Sequence, residues 1–339
     1  MHEPENAFRT ALVAAVRAAS IVCRAVQNDL RQGESIVKAD ASPVTVADLA
    51  AQTIVIRELS RTVPEIPLAA EEDSSTLEGE ERAGLRRAVL GRVRLAWPDA
   101  TDADVIRTLA RGGYAGSAAG RYFALDPIDG TKGFLRGEHY AVALGLVEDG
   151  RVVAGVLGCP NLAGPDGRRG VLVHAVRGHG TRATVLDAAG ADGPLVHVSA
   201  ESDARRLRLC ESVETGHSDR TASAALYAKL GVAGTPVRMD SQAKYAVLAM
   251  GGAELYLRTP TSADRREWIW DHAAGVIVVE EAGGRVTDVT GAALDFGTGR
   301  RLERNRGIVA TNGLLHDVVL AALGASAAPA VPPSPPLAS

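Results

Sequence analysis

One stretch limits what this chain can become more than any other: Tyr122-Phe-Ala-Leu-Asp-Pro-Ile-Asp-Gly-Thr-Lys-Gly-Phe-Leu-Arg-Gly137. Its apolar approach reads as a strand that ends on Asp126. Pro127 has no N–H for a ladder, and Gly130 permits a sharp turn. Asp126 and Asp129 then face a short connection in which the N–H groups of Gly130, Thr131, Lys132 and Gly133 point outward, an arrangement suited to a phosphate. Two carboxylates beside an anion cradle repel that anion unless a cation lies between them. With Mg²⁺ there, each carboxylate oxygen becomes a hard ligand and the phosphate a further one.

By themselves these residues also fit a plain strand followed by an Asp/Gly turn. A nucleophilic aspartate of the phosphoryl-enzyme type needs its carboxylates two apart, and here they are three apart. A metal-dependent phosphomonoesterase needs further acids at strand ends and helix starts. The chain supplies Glu71-Glu72-Asp73 after a short apolar strand at 66–70, Asp48 early in a helix introduced by Ser42-Pro43, and Asp271 at the head of an apolar helical run. Asp48 and Asp271 could equally be favourable charges near helix N-termini.

Asp126-Pro-Ile-Asp-Gly-Thr131, with Glu71-Glu72-Asp73 upstream and Trp270-Asp-His-Ala-Ala-Gly275 downstream, resembles the three-part signature of the inositol monophosphatase-like, lithium-sensitive phosphatases. Lys132-Gly-Phe-Leu-Arg-Gly137, Tyr140-Ala-Val-Ala-Leu144 and Gly155-Val-Leu-Gly-Cys-Pro-Asn-Leu162 are similar to one branch, the 3'(2'),5'-bisphosphate nucleotidases, which remove the 3'-phosphate of adenosine 3',5'-bisphosphate. The resemblance runs from Ile36 to Asn312. It implies an α/β fold, a layered α-β-α-β-α sandwich with an α+β N-terminal lobe (1–162), an α/β C-terminal lobe (163–323) and the active site between them.

The resemblance also implies roles. Glu71, Asp126 and the Ile128 carbonyl would hold the Mg²⁺ that activates water, and Asp126, Asp129 and Asp271 the one that steadies the leaving group, with two or three ions in all. Glu72 would support Glu71, and Asp48 with Thr131 would polarise the attacking water. Gly130 and Thr131 would meet the substrate phosphate, and His217, Ser241, Lys244 and Arg258 the nucleotide and its second phosphate. An all-oxygen donor set favours Mg²⁺ over zinc. Taken singly, Lys244 reads as a solvated helix residue and Arg258 as a surface charge. Two other functions remain open: an inositol monophosphatase or inositol polyphosphate 1-phosphatase of the same fold, and a nucleotide-binding regulator without turnover. Every expected acid is present, which weighs against the regulator. Leu49 stands where the branch often has an aromatic, and the segment 78–111 has no clear counterpart.

Composition narrows the setting. In 339 residues, aromatics are only 4% while hydrophobics reach 46%, so the core must be built from Ala, Val, Leu and Ile. A net charge of −4 without a basic, aromatic-interleaved stripe argues against a nucleic-acid polymer as partner and leaves a small nucleotide open. The cysteines, Cys23, Cys159 and Cys210, are odd in number and far apart, as core thiols of a cytoplasmic protein would be. The N-terminus lacks the order of a signal peptide, and no uninterrupted apolar run reaches roughly 18 residues. A soluble monomer or homodimer is the expectation.

Periodicity predicts helices at 4–30, 45–61, 79–90, 102–110, 220–230, 242–250, 268–282 and 314–323, and a mobile segment at 33–41. Strand pairs are predicted over 140–157, hinged on Glu148-Asp149-Gly150, and over 170–184, turning at Gly178-His-Gly180. Short strands follow near 196–199, 208–213, 237–239, 254–257, 286 and 308, and the Ala/Pro/Ser-rich 324–339 reads as a disordered tail.

Overall fold

The computed structural model describes residues 3–32, 42–191, 193–214, 220–262 and 264–324. The segment 33–41, the tail beyond Gly324 and His217 lie outside the described residues.

The chain opens with α1 (Glu3–Arg31) and α2 (Pro43–Thr62), followed by β1 (Leu68–Ala70), α3 (Ala83–Val93) and α4 (Asp102–Leu109). Next come β2 (Arg121–Asp129), α5 (Thr131–Arg136), β3 (Ala141–Glu148), β4 (Arg151–Ala163), β5 (Arg169–Val176), β6 (Thr181–Val185) and β7 (Leu195–Val196). β1 to β7 form one sheet in chain order, parallel only between β1 and β2. The remainder is β8 (Leu209–Glu211), α6 (Arg220–Leu230), β9 (Val237–Arg238), α7 (Ala243–Ala249), β10 (Leu255–Arg258), α8 (Ala273–Glu281), β11 (Arg285–Thr287), β12 (Ile308–Thr311) and α9 (His316–Leu323). Its strands make a second sheet in the order β11-β12-β10-β8-β9.

Strand alternation sorts the side chains into layers. On β3, Val142, Leu144 and Leu146 join a core with α1 and α2, whereas Ala141, Ala143 and Val147 join a second core with α7 and α8. On β10, Tyr256 faces that same second core, while Leu255 and Leu257 face a third with α6 and α9. The result is the expected α-β-α-β-α sandwich. Its central helix, α8, carries Ala-Ala-Gly-Val-Ile-Val-Val and is apolar all round, as a helix covered by a sheet on each side requires.

α1 passes the length and composition test for a membrane span. Its apolar stripe, Leu12, Val16, Ala19, Cys23 and Val26, is buried in the core against α2 and the first sheet. The cysteines are all buried and unpaired. The hairpin at Asp149-Gly150 has positive φ at both positions, 49° and 76°, the primed turn that suits strand twist.

Several expectations are corrected. The strand predicted to stop at Asp126 continues to Asp129, because a one-residue register shift lets the ladder pass Pro127 as a bulge. The helix predicted from Trp268 begins at Ala273. Trp268 forms a bridge with Arg301 and stacks on Trp270 at 4.7 Å, which holds 268–272 in a turn and leaves Asp271 ahead of the helix. Likewise, the helix predicted from Gly79 starts at Ala83, after a short 3₁₀ turn at Glu80–Arg82. β4 runs from Arg151 to Ala163, and the change of sheet comes only after Val196.

Gly155 and its cross-strand partner Gly145 let α8 lie flush on β3 and β4. A Cβ on Gly155 would come within 2.4 Å of the Ile277 side chain and 3.0 Å of the Ala274 backbone. Gly155→Ala should therefore lose stability: overpacking costs about 1–3 kcal/mol, against roughly 0.5–1 kcal/mol recovered by removing a strand glycine. Urea unfolding that gave a variant more stable than the parent would contradict this packing.

Candidate active site

The parallel pairing of β1 and β2 sets the first two acids side by side. Register partners Ala70 and Leu125 are the last apolar residues of each approach, and the Glu71 amide donates to the Leu125 carbonyl at 3.2 Å. Glu71, just past the end of β1, and Asp126, within β2, thus come side by side, and burial and then the Glu71 charge push the Asp126 pKa up. Asp126 lies at the floor, 2% exposed, while Glu71 lines the open mouth. The bulge then carries the chain to Asp129, and Gly130 turns it with φ 89°. Only glycine fits there, since a Cβ would meet the Ser241 side chain at 2.8 Å. The connection after Gly130 is the short helix α5, and the Thr131 hydroxyl donates to the Ile128 carbonyl at 3.4 Å.

Asp271 arrives from the middle layer and lies within electrostatic range of Asp126, Asp129 and Glu71. Asp48, on the second turn of α2, is buried and faces Glu71 and Glu72. The predicted acids therefore converge although they lie on four separate stretches of chain. Among the described residues, Asp48 Oδ1 and Asp126 Oδ1 are buried oxygens with no hydrogen-bond partner. Orphaned carboxylate oxygens amid further carboxylates, with the Ile128 carbonyl at hand, are donors that fit a hard divalent cation.

Ser241, Lys244 and Arg258 border this floor. Ser241 has the left-handed φ of 70° and abuts Gly130. Lys244 and Arg258 are only 2% and 8% exposed, so neither is the surface charge that isolated basic residues ordinarily are. The Lys244 ammonium donates to the Met239 carbonyl at 3.2 Å and lies over the Tyr256 ring, and burial lowers its pKa to about 8. Arg258 pairs with Glu267 at 2.6 Å and Asp271 at 3.5 Å. Glu267, Asp271 and His272 bring ligand atoms within 4.8 Å of one another. Arg258 already answers the carboxylates of that trio, and His272 Nδ1 is bonded to the Tyr245 hydroxyl at 2.9 Å.

Other residues at the site were not legible in the motifs. Gln52, fully buried on α2, clamps the backbone of Glu72 from both sides: its Nε2 donates to the Glu72 carbonyl at 2.7 Å and its Oε1 accepts from the Glu72 amide at 3.0 Å. Gln242 donates its amide to Asp129 Oδ2 at 2.6 Å. Arg300 stacks on Trp270 and donates to the Ala70 carbonyl, tying the turn that carries Asp271 to the end of β1. Neutral glutamines in apolar helices carry no signature of their own. A groove of about 300 Å³ beside Ile56, Ile66 and Phe123 lies at the opposite end of β1, and its Arg111 is bonded to Ser60 and the Pro64 carbonyl.

A model of the inositol monophosphatase family matches residues 3–328. The chain is 39% identical over 336 residues to the 3'(2'),5'-bisphosphate nucleotidase of Emericella nidulans, covering 91% of this chain and 95% of that protein. It is 40% identical over 341 residues to the 3'(2'),5'-bisphosphate nucleotidase of Oryza sativa, covering 94% of each. Among solved structures, an inositol monophosphatase from Anabaena (Nostoc) sp. PCC 7120 superposes with a TM-score of 0.59 at 22% identity, over 93% of this chain and 94% of that one. Mycobacterium tuberculosis SuhB does so with the same score and identity, over 96% and 98%. These two show the fold.

Without a cation the acids hold on to protons. Burial and then Glu72 push Glu71 up to about 7, and burial, opposed by Arg258 and reinforced by Asp129 and Glu71, pushes Asp271 up to about 8. Folded-state values above the ordinary carboxylate range mean that the native state binds more protons than the unfolded chain. This contribution to stability is full in acid and is lost as pH rises through 7 to 8. In chelator, the calorimetric Tm should fall between pH 5 and 9, and added Mg²⁺ should flatten the fall. A Tm that rose with pH in chelator would contradict the geometry.

Proposed function

The chain belongs to the inositol monophosphatase family, and from that premise we propose that it is a Mg²⁺-dependent 3'(2'),5'-bisphosphate nucleotidase. It would convert adenosine 3',5'-bisphosphate to AMP and phosphate, and adenosine 3'-phosphosulfate 5'-phosphate to adenosine 5'-phosphosulfate and phosphate. The observation that carries the substrate class is the near-40% identity, over nine-tenths of the chain, to proteins named for that activity. The mode of cleavage is supported by the convergence of Glu71, Asp126, Asp129 and Asp271, with two buried carboxylate oxygens left unpartnered among the described residues.

In this reading Glu71, Asp126 and the Ile128 carbonyl hold one Mg²⁺, and Asp126, Asp129 and Asp271 another, with Glu72 supporting. Bound there, the cations supply positive charge to the phosphoryl oxygens and make neighbouring water more acidic. Asp48, whose pKa burial raises, accepts the proton of the attacking water that Thr131 helps to orient. As water oxygen bonds to phosphorus, the bond to the 3'-oxygen breaks, and that oxygen takes a proton from solvent water as it leaves. Gly130 and Thr131 border the transferred phosphoryl. Ser241, Lys244 and Arg258 line the far side, where the positive charge of Lys244 and Arg258 offsets a second phosphate through the field more than by direct bidentate contact, since Arg258 is engaged by Glu267. The resemblance also assigns His217 a contact with the nucleotide.

The deciding experiment is phosphate release from adenosine 3',5'-bisphosphate, its sulfated analogue and inositol phosphates, each with Mg²⁺ and with or without Li⁺. Release from the nucleotides, sensitive to Li⁺, is expected. Release from inositol monophosphate alone would replace the substrate assignment and leave the cleavage chemistry standing. Asp129→Asn should cut turnover by about 100-fold or more, the scale of losing one fixed charge-stabilising group. Retained cellular function with intact nucleotide binding in that variant would favour a non-catalytic regulator.

A further inference from the structure

We propose that Gln242 is the positioning residue that sets the separation of Asp129 from Asp271, and through it the site's affinity for a divalent cation. The proposal rests on the metal-dependent reading above. Asp129 ends a strand of the first sheet and Asp271 sits in the turn before α8, so no strand pairing fixes one relative to the other. Gln242, 1% exposed, spans the gap with three hydrogen bonds. Its backbone N–H donates to Asp129 Oδ2 at 2.6 Å, its Nε2 donates to the carbonyl of Trp270 at 2.9 Å, and its Oε1 accepts from the amide of Gly275 at 3.1 Å.

The last of these bonds replaces a missing one. Gly275 is the third residue of α8, where an orphan amide normally bonds to the N-cap side chain, but the N-cap His272 makes no such bond. The acceptor comes from a different helix instead, so the start of α8, and Asp271 just before it, are registered on α7. The backbone N–H is aimed at Asp129 by Ser241, whose left-handed φ of 70° is a conformation that residues other than glycine seldom adopt. That conformation is held in place by the close approach of Ser241 to Gly130. Glutamine also suits the position chemically. A carboxylate could accept from Gly275 but could not donate to Trp270, and it would add a charge beside the acids.

The test is calorimetric titration of the full chain with Mg²⁺ alone, without substrate, for the parent, Gln242→Met and Gln242→Asn. Thr181→Val serves as control, because it removes another buried bond to α8, from Thr181 Oγ1 to the Val278 carbonyl at 2.7 Å. Mg²⁺ affinity should fall about 10-fold or more in the Gln242 variants, the scale of losing a group that orients a ligand. Thr181→Val should lose Tm and keep its affinity. Parent-like affinity in a folded Gln242 variant would overturn the proposal, as would a Thr181→Val affinity that fell in step with its Tm. Failure of both Gln242 variants to fold while Thr181→Val folds would overturn it too, assigning Gln242 to the fold alone. A parent that bound no Mg²⁺ would bring down the metal-dependent reading and this inference with it.

Discussion

Carboxylates gathered where water is scarce repel one another, and the site is arranged around containing that repulsion. Asp126 and Asp48 are buried, Glu71, Asp129 and Asp271 close in from three directions, and the acids with raised pKa values owe the rise first to burial and then to their neighbours. A protein tolerates such a cluster only if the rest of the fold holds the acids in place against their own electrostatics. Arg258 and Lys244 lie beside the cluster, both buried, and lend it positive charge. Glu267 in turn holds Arg258, and its own carboxyl is drawn down to about 2, against the cost of burial, by His272 and Arg258.

Rigidity comes from layering. Strands β2 to β5 of the first sheet face α1 and α2 on one side and α7 and α8 on the other, and the second sheet closes over α8. α8 is therefore a helix with no solvent face over most of its length, and its position is dictated by close packing on Gly145 and Gly155. Because Asp271 stands directly before it, the packing of an apolar helix becomes the placement of an acid. The bulge at Pro127 does the same for Asp129, carrying the carboxyl one residue out of register with the strand beside it.

Buried amide side chains finish the alignment. Gln52 ties the Glu71-Glu72 corner to α2, and Gln242 ties α7 to the Asp271 turn. Both are neutral, so they fix backbone in a crowded acidic region without adding to its charge. Arg300, stacked on Trp270 and bonded to the end of β1, joins the two sides of the cleft from the opposite direction.

The layered fold was legible because amphipathic period and turn residues are local properties. The 4–30 helix, the Asp149-Gly150 hairpin and the strand-to-acid stretch at Asp126 follow from short-range sterics and from which residues seek water. The acids stand out at the ends of apolar runs, but a plain Asp/Gly turn or a charge near a helix N-terminus leaves the same local pattern, and only the folded chain brings them together. What sequence could not decide was anything that depends on distant chain segments meeting. The later start of the last predicted long helix comes from Trp268 pairing with Arg301, the burial of Lys244 and Arg258 from a second sheet closing over them, and the parts played by Gln52 and Gln242 from partners far off along the chain. Hydrogen bonds and ion pairs act over a few ångströms of space, and only tertiary packing turns a separation of a hundred residues into that distance.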